Sequence, residues 1–263
     1  MSDTTSIQQL EISFETFVVP PPYSHTYTFK LRFEADDLQL QYNLEYTHRD
    51  ELSKEEIWEE GFSNQDDFSW KGSLPVVWCE ALVATWEDTH LLSKQEQASS
   101  KPLENGLFMI AELTNGQQVT GIPEKIETWE YLLQELTQAV YEAAQREHPL
   151  RIRYLKRSSQ KEELQLIITI RFLLRSLEVV RQQEKQQAKH TLPWTEVKSM
   201  LSTLYQLDYN TEEASAKMPA LPGKYLDPGD NRWYQLGKEV TNPGRIDLTD
   251  SLRQKLESLI DSY

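Results

Sequence analysis

Alternating apolar and polar residues predict an antiparallel hairpin near the start of the chain. Apolar side chains occupy every second position in two runs that flank the polar residues 34–37. A period of two is typical of strands with one buried and one solvent-facing side. The alternating positions are Tyr27, Phe29, Leu31 and Phe33, then Leu38, Leu40, Tyr42, Leu44 and Tyr46.

A second hairpin is predicted between residues 150 and 174, followed by a polar linker over 182–189 and a helix after Leu192-Pro193. Two short matches suggest that the chain repeats a hairpin-then-helix unit. The matches are Asp37-Leu38-Gln39-Leu40 with Glu163-Leu164-Gln165-Leu166, and Leu74-Pro75 with Leu192-Pro193. The hypothesis places the two halves at 7–92 and 148–207, with residues 107–147 between them.

Helix and turn signals complete the predicted order of elements. Ser53 and Glu56 have the spacing of a capping box and predict a short helix, which a loop over 65–72 follows. An apolar stripe predicts a helix over 76–88, and Asn115-Gly116 predicts the turn of another hairpin. A longer apolar stripe predicts a helix that ends near residue 146.

The chain changes character after residue 207. Prolines and glycines punctuate residues 208–245, and a final apolar stripe predicts a helix at the C-terminus. We therefore expect an α+β body over 1–207 and a loop-rich C-terminal extension over 208–263 that ends in a helix. The predicted fold class is α+β, with mainly antiparallel sheet built from hairpins and with helices packed on one face.

Composition restricts the cellular setting. The single cysteine, Cys79, excludes an internal disulfide framework and favours a reducing compartment. The first residues show neither a basic region nor an apolar run that would predict a secretory signal. No stretch reaches the roughly 20 apolar residues that cross a bilayer. We expect a cytoplasmic protein without membrane contact.

Charge is distributed unevenly along the 263 residues, which carry a formal net charge of −15. Up to residue 148 there are 27 acidic and 9 basic side chains, which give −18, and the remaining 15 acidic and 18 basic side chains give +3. A general nucleic-acid binder is expected to be broadly basic, so this class is disfavoured. The acidic half favours a protein partner with a basic surface.

The familiar signatures of catalysis and cofactor binding are missing from the sequence. It contains neither a glycine-rich phosphate loop nor a nucleophile elbow, and its five histidines show no helical ligand spacing. Cys79 lies on an apolar helix, where a buried and inert thiol is expected. We predict no cofactor, no metal and no catalytic residue, and favour a non-enzyme while leaving an enzyme open. The residues identify no family, and the oligomeric state stays open.

Three functional hypotheses remain open on these residues. The first is an intracellular binding protein that contacts a basic partner through the carboxylates of its N-terminal half; the predicted contact residues are Asp50, Glu51, Glu55, Glu56, Glu59 and Glu60. The second is an enzyme or binding protein for a small anionic, phosphorylated ligand held by Arg151, Arg153 and Arg171. The third is an acidic inhibitor that imitates nucleic acid.

Overall fold

The computed structural model describes residues 6–93, 96, 105–159, 163–184, 186–242 and 248–261. The chain divides into two compact units, Met1–Glu147 and His148–Tyr263. Each unit consists of an antiparallel sheet built from hairpins, with helices packed on it. The predicted α+β fold class is therefore confirmed.

The first unit contains seven strands in its described residues, in the order β4-β3-β2-β1-β6-β7-β5. The strands are β1 (Ile7–Thr16), β2 (His25–Phe33), β3 (Asp37–Tyr46), β4 (Phe68–Pro75), β5 (Leu91–Leu92), β6 (Asn105–Leu113) and β7 (Gln118–Pro123). Its helices are α1 (Lys54–Glu59), α2 (Val77–Glu87) and α3 (Ile126–Ala143), and a 3₁₀ turn spans Arg49–Glu51.

The first predicted hairpin is β2 and β3, which pair in the register that the alternation requires. Leu38, Leu40 and Leu44 are 0, 2 and 6% exposed, so the alternating apolar positions form a buried face. Helix α2 packs against β3 and β4 on that face, and helix α3 packs against β4 and β7. Burial of each large apolar side chain contributes about 1.5–3 kcal/mol, which stabilises the sheet and its helices as one unit.

The second unit contains a six-stranded sheet in its described residues, in the order β11-β10-β9-β8-β13-β14, and a separate pair, β12 and β15. The strands are β8 (Leu150–Arg157), β9 (Glu163–Arg171), β10 (Ser176–Gln183), β11 (Gln186–Leu192), β12 (Asp208–Tyr209), β13 (Gly223–Asp227), β14 (Tyr234–Gln235) and β15 (Val240–Thr241). The helices are α4 (Thr195–Tyr205) and α5 (Leu248–Asp261). Tyr154 of β8 donates a hydrogen bond to Glu257 of α5, so α5 lies over the face that carries Tyr154.

Two segments that the polar pattern assigned to loops are strands. The predicted linker over 182–189 belongs to the hairpin of β10 and β11, and much of the predicted loop over 65–72 is strand β4. Both β4 and β11 lie at a sheet edge. Polar side chains are common at edges, where they discourage pairing with other chains, so the apolar alternation that would reveal a strand is weak there.

The C-terminal segment is part of the second sheet. Strand β13 pairs with β8 over its whole length, and Leu226 lies directly opposite Tyr154. Both side chains are 0% exposed. The expected boundary at 207 therefore differs from the observed division at residue 147, because a strand from the segment 208–263 completes the core of the second unit.

The two units share one order of elements. In each, four antiparallel strands lead to an 11-residue helix, two later strands (β6 and β7, or β13 and β14) extend the sheet from the free side of the first strand, and a helix follows. Helix α1 and strand β5 are additions of the first unit, and the pair β12 and β15 is an addition of the second. Leu74-Pro75 and Leu192-Pro193 occupy matching places, immediately before α2 and α4. The match at Asp37 and Glu163 does not follow this order. It pairs the start of β3 with the start of β9, whereas the strand at the place of β3 in the second unit is β10.

This order changes the boundaries of the hypothetical repeat. Residues 107–147, which the hypothesis placed between the halves, supply most of β6, all of β7 and α3, and their respective counterparts are β13, β14 and α5. A repeat that follows the observed order spans about 7–143 and 150–261. Common origin of the two units stays a hypothesis.

Candidate functional site

The six carboxylates predicted to contact a partner lie in one short excursion between β3 and β4. Asp50 and Glu51 belong to the 3₁₀ turn, Glu55, Glu56 and Glu59 to α1, and Glu60 ends that helix. All six are exposed. The excursion therefore carries a dense group of negative charge at the surface of the first unit.

Helix α1 begins at the capping box that the sequence predicts. The backbone N–H of Ser53 donates to Glu56 Oε2 over 2.8 Å, and the backbone N–H of Glu56 donates to Ser53 Oγ over 3.3 Å. The hydrogen bonds from Ser53 hold the pKa of Glu56 below its ordinary value. Because isolated helices this short are unstable, the cap and the burial of Ile57, which is 1% exposed, hold α1 in place.

Trp58 is the exposed aromatic residue of this helix. Its neighbour Ile57 points into the unit, and Trp58 itself is 77% exposed. Glu55 precedes it by three residues, a spacing at which helical side chains are neighbours, and Glu59 is the next residue of the helix. The sequence showed Trp58 amid carboxylates, but only the structure shows that the ring does not join the core.

Arg49 fastens the excursion to the sheet. Its Nε donates to the carbonyl oxygen of Pro22 over 3.0 Å, and one terminal nitrogen donates to Asp66 over 2.7 Å. The guanidinium lies 3.7 Å from the centroid of the Tyr46 ring and 4.7 Å from that of Phe62. This side chain is only 9% exposed. Arg49 was not among the predicted site residues, because a lone arginine beside an acidic run gives no sequence signal of such contacts.

Tyr23, in the connection between β1 and β2, contacts the excursion. Its hydroxyl donates to Glu60 over 2.5 Å, and its ring meets Phe62 edge to face at 5.0 Å between centroids. The hydrogen bond to Glu60 raises the pKa of Tyr23. We call Tyr23, Trp58, Glu51, Glu55, Glu59 and Glu60 the acidic–aromatic surface.

The charges of this surface are only partly balanced. Glu51 lies 3.1 Å from the Nδ1 atom of His48. Asp50, Glu55 and Glu59 have no ion-pair partner within the part of the chain that the structure describes. These carboxylates outnumber Lys54, the cation of α1 that lies four residues before Trp58, so the net potential around the exposed Trp58 ring is negative.

The three arginines predicted to hold an anion lie on one face of the second sheet. Arg151 is exposed on β8 and has no recorded ion-pair partner among the described residues. Arg153 forms an ion pair with Asp227, and Arg171 lies 3.6 Å from Glu178. Two of the three positive charges therefore already face carboxylates of the same unit. Their role in anion binding stays a prediction.

The described residues offer little for metal or thiol chemistry. Among them, no group of three or more histidine, cysteine or acidic side chains is arranged to hold a metal ion. The Cys79 thiol is buried and donates to the carbonyl oxygen of Asp37 over 3.4 Å. Burial raises the pKa of Cys79, which keeps it in the less reactive thiol form.

Among the helices of the described residues, none is long and apolar enough to cross a bilayer. Comparison of the chain with protein-family models, with curated proteins and with solved structures finds no match.

Proposed function

We propose that this chain is a non-enzymatic binding protein whose acidic–aromatic surface contacts a basic segment of a partner protein. The observation that carries the proposal is the 77% exposure of Trp58 on a helix whose Glu55 and Glu59 have no ion-pair partner among the described residues. Tryptophan and tyrosine are enriched at protein–protein interfaces. Tryptophan is also enriched among the residues that dominate binding energy.

The two components of the surface would act at different stages of binding. The carboxylates would attract a basic partner over several ångströms and raise the rate of association. The Trp58 ring would then be covered, and removal of its apolar area from water would slow dissociation. A cationic side chain of the partner would also interact favourably with the ring face.

The fixed position of the segment between β3 and β4 supports this proposal. Arg49, Ile57 and the Ser53 cap hold α1 against the unit before any partner arrives. A surface that is already ordered loses less conformational entropy on binding. We extend the proposal to a cytoplasmic location, which agrees with the single free thiol of Cys79.

A labelled synthetic peptide in which lysines alternate with leucines tests the proposal by fluorescence anisotropy with the full chain. We expect Trp58→Ala to weaken binding ~10-fold, which corresponds to about 1.4 kcal/mol. The double change Glu55→Lys and Glu59→Lys should weaken it at least as much. Affinity should also fall as salt rises, since exposed charges are screened beyond about 8–10 Å at physiological ionic strength.

Two matched controls make the test specific. The double change Asp36→Lys and Glu124→Lys alters net charge equally at exposed positions outside α1, and Leu174→Ala removes an apolar side chain that is 50% exposed in the second unit. Both should leave the affinity unchanged. Two results would contradict the proposal. One is an equal loss of peptide affinity in the two charge-reversed proteins, and the other is an affinity that changes neither with Trp58→Ala nor with salt.

A further inference from the structure

The solvent-facing side of the first sheet contains a cleft above β1, β2 and β6. Strand register places Thr28, Ser13 and Phe108 in one row across the three strands, and Thr26, Glu15 and Gly106 in the next. The alternate residue of β1, Phe14, is buried on the opposite face. The cleft therefore lies on the side of the sheet that α2 and α3 leave uncovered.

Phe17 and Gly106 shape this cleft together. A Cβ atom at Gly106 would lie 2.4 Å from Cζ of Phe17, so the absence of a side chain lets the ring lie over the strand. Phe17 nevertheless remains 56% exposed. An aromatic ring that is fixed over a glycine, and still half open to solvent, forms one wall of a recess.

The recess is open to solvent, has room for a small molecule and combines apolar with polar lining. Its volume is about 450 Å³, within the range of roughly 300–1,000 Å³ that ligand pockets occupy. Phe17, Phe108 and Ile122 supply apolar lining. Hydroxyls of Ser13, Thr26 and Thr28 and the carboxylate of Glu15 supply polar lining.

The polar groups of the cleft are available to a ligand. Within the described residues, Glu15 has no ion-pair partner, and the side chains of Ser13, Thr26 and Thr28 make no recorded hydrogen bond. Other polar side chains on the same strands are engaged, as in the 3.3 Å ion pair of Glu11 with Lys30. Of the residues that the structure describes, no lysine or arginine lines the cleft. Glu45, which is exposed opposite Thr26, adds a second negative charge nearby.

We propose that this cleft binds a small arylalkyl amine. The protonated amine has three donors, which suit the Glu15 carboxylate and the acceptor oxygens of Thr26 and Thr28. The aromatic group would stack against Phe17 and Phe108, where offset or edge contacts between rings are favourable. This site is separate from the acidic–aromatic surface and does not depend on the proposed protein partner.

Three probes of similar shape and different charge test the proposal on the full chain. The probes are 2-phenylethylamine, 2-phenylethanol and phenylacetate, and binding is followed by amide chemical shifts in ¹H–¹⁵N NMR spectra. We expect the amine to saturate with a Kd of about 1 mM or below, with shifts concentrated at the cleft residues of β1, β2 and β6. The alcohol should bind ~10-fold more weakly and the carboxylate more weakly still.

Variants distinguish the cleft from general attraction of cations to an acidic protein. Glu15→Gln should weaken amine binding ~10-fold, whereas Glu11→Gln, four residues earlier in β1 and on the same face, should not change it. Gly106→Val should abolish binding by occupying the recess. If Gly106→Val does not fold, Thr28→Val provides a second test, because it removes an acceptor oxygen and should weaken amine binding. Absence of saturable shifts, equal binding of amine and carboxylate, or equal effects of Glu15→Gln and Glu11→Gln would overturn the proposal.

Discussion

Arg153 and Asp227 face each other across β8 and β13, and the guanidinium donates two hydrogen bonds to one oxygen of the carboxylate. The Nε–Oδ2 distance is 2.7 Å, and Asp227 is 1% exposed. The other carboxylate oxygen accepts the backbone N–H groups of Gly229 and Asn231. One buried side chain thus joins two strands that lie 74 residues apart and orders the loop after β13.

We predict that Asp227→Ala lowers the free energy of unfolding by about 3–5 kcal/mol, because Arg153 and two backbone donors lose their acceptor in a buried site. Urea denaturation followed by circular dichroism measures the change. Arg151→Ala, on the same strand and exposed, should stay within about 0.5 kcal/mol of the wild type. A loss below about 1 kcal/mol for Asp227→Ala would contradict a structural role for the pair.

We predict that Ser53→Ala weakens helix α1. Removal of the cap leaves a backbone N–H of the first turn without its acceptor, which costs about 0.5–2 kcal/mol. Hydrogen exchange of the α1 amides should accelerate while the amides of β2 and β3 keep their protection. Ser69→Ala, at an exposed position of β4, provides the control. Unchanged exchange in α1 would contradict a role of the Ser53 cap in holding the helix.

We predict that Glu257 makes stability depend on acid pH. Its hydrogen bond from Lys224, at 2.6 Å, holds its pKa below the ordinary value of 4.5, with Lys156 contributing and burial opposing. A carboxyl group with a depressed native pKa stabilises the fold above its unfolded pKa, and this contribution disappears as pH falls through the native pKa. The stabilisation should therefore be complete near neutral pH and decline below about 4.5.

The comparison of wild type with Glu257→Gln across pH measures this contribution. The difference in unfolding free energy should be largest near neutral pH and should shrink below the ordinary carboxyl pKa of 4.5. Glu212→Gln, at an exposed position of the same unit, should show no such trend. A difference that stays constant with pH would contradict the assignment.

We predict that a chain ending at residue 207 does not fold its second unit. It lacks β13, so β8 loses its partner on one side, and buried residues such as Tyr154 lose the covering provided by Leu226 and α5. Exposed strand edges promote aggregation. Size-exclusion chromatography should show aggregates for residues 1–207 and a monodisperse species for residues 1–147. Monodisperse, cooperatively unfolding 1–207 would support the boundary expected from the sequence.

Local pattern was sufficient where burial is one-sided and the contacts are short in sequence. The alternation over β2 and β3, the capping box at Ser53 and the apolar stripe of α3 each predicted the element that the structure contains. Strands β4 and β11 were not predicted, because they lie at sheet edges. Polar side chains remain in water there, so apolar and polar residues alternate less clearly. The acidic residues of α1 were identified from the sequence, but the exposure of Trp58 was not.

The sequence by itself determined the fold class, the uneven charge and the positions of most helices and hairpins, because each depends on patterns within about ten to twenty neighbouring residues. Only the tertiary structure decided that β13 joins β8, that Arg49 fastens α1 to the sheet, and that Phe17 lies over Gly106 beside Glu15. These contacts join residues far apart in the chain. Their partners follow from how strands associate and which side chains then meet, and no local pattern records that choice.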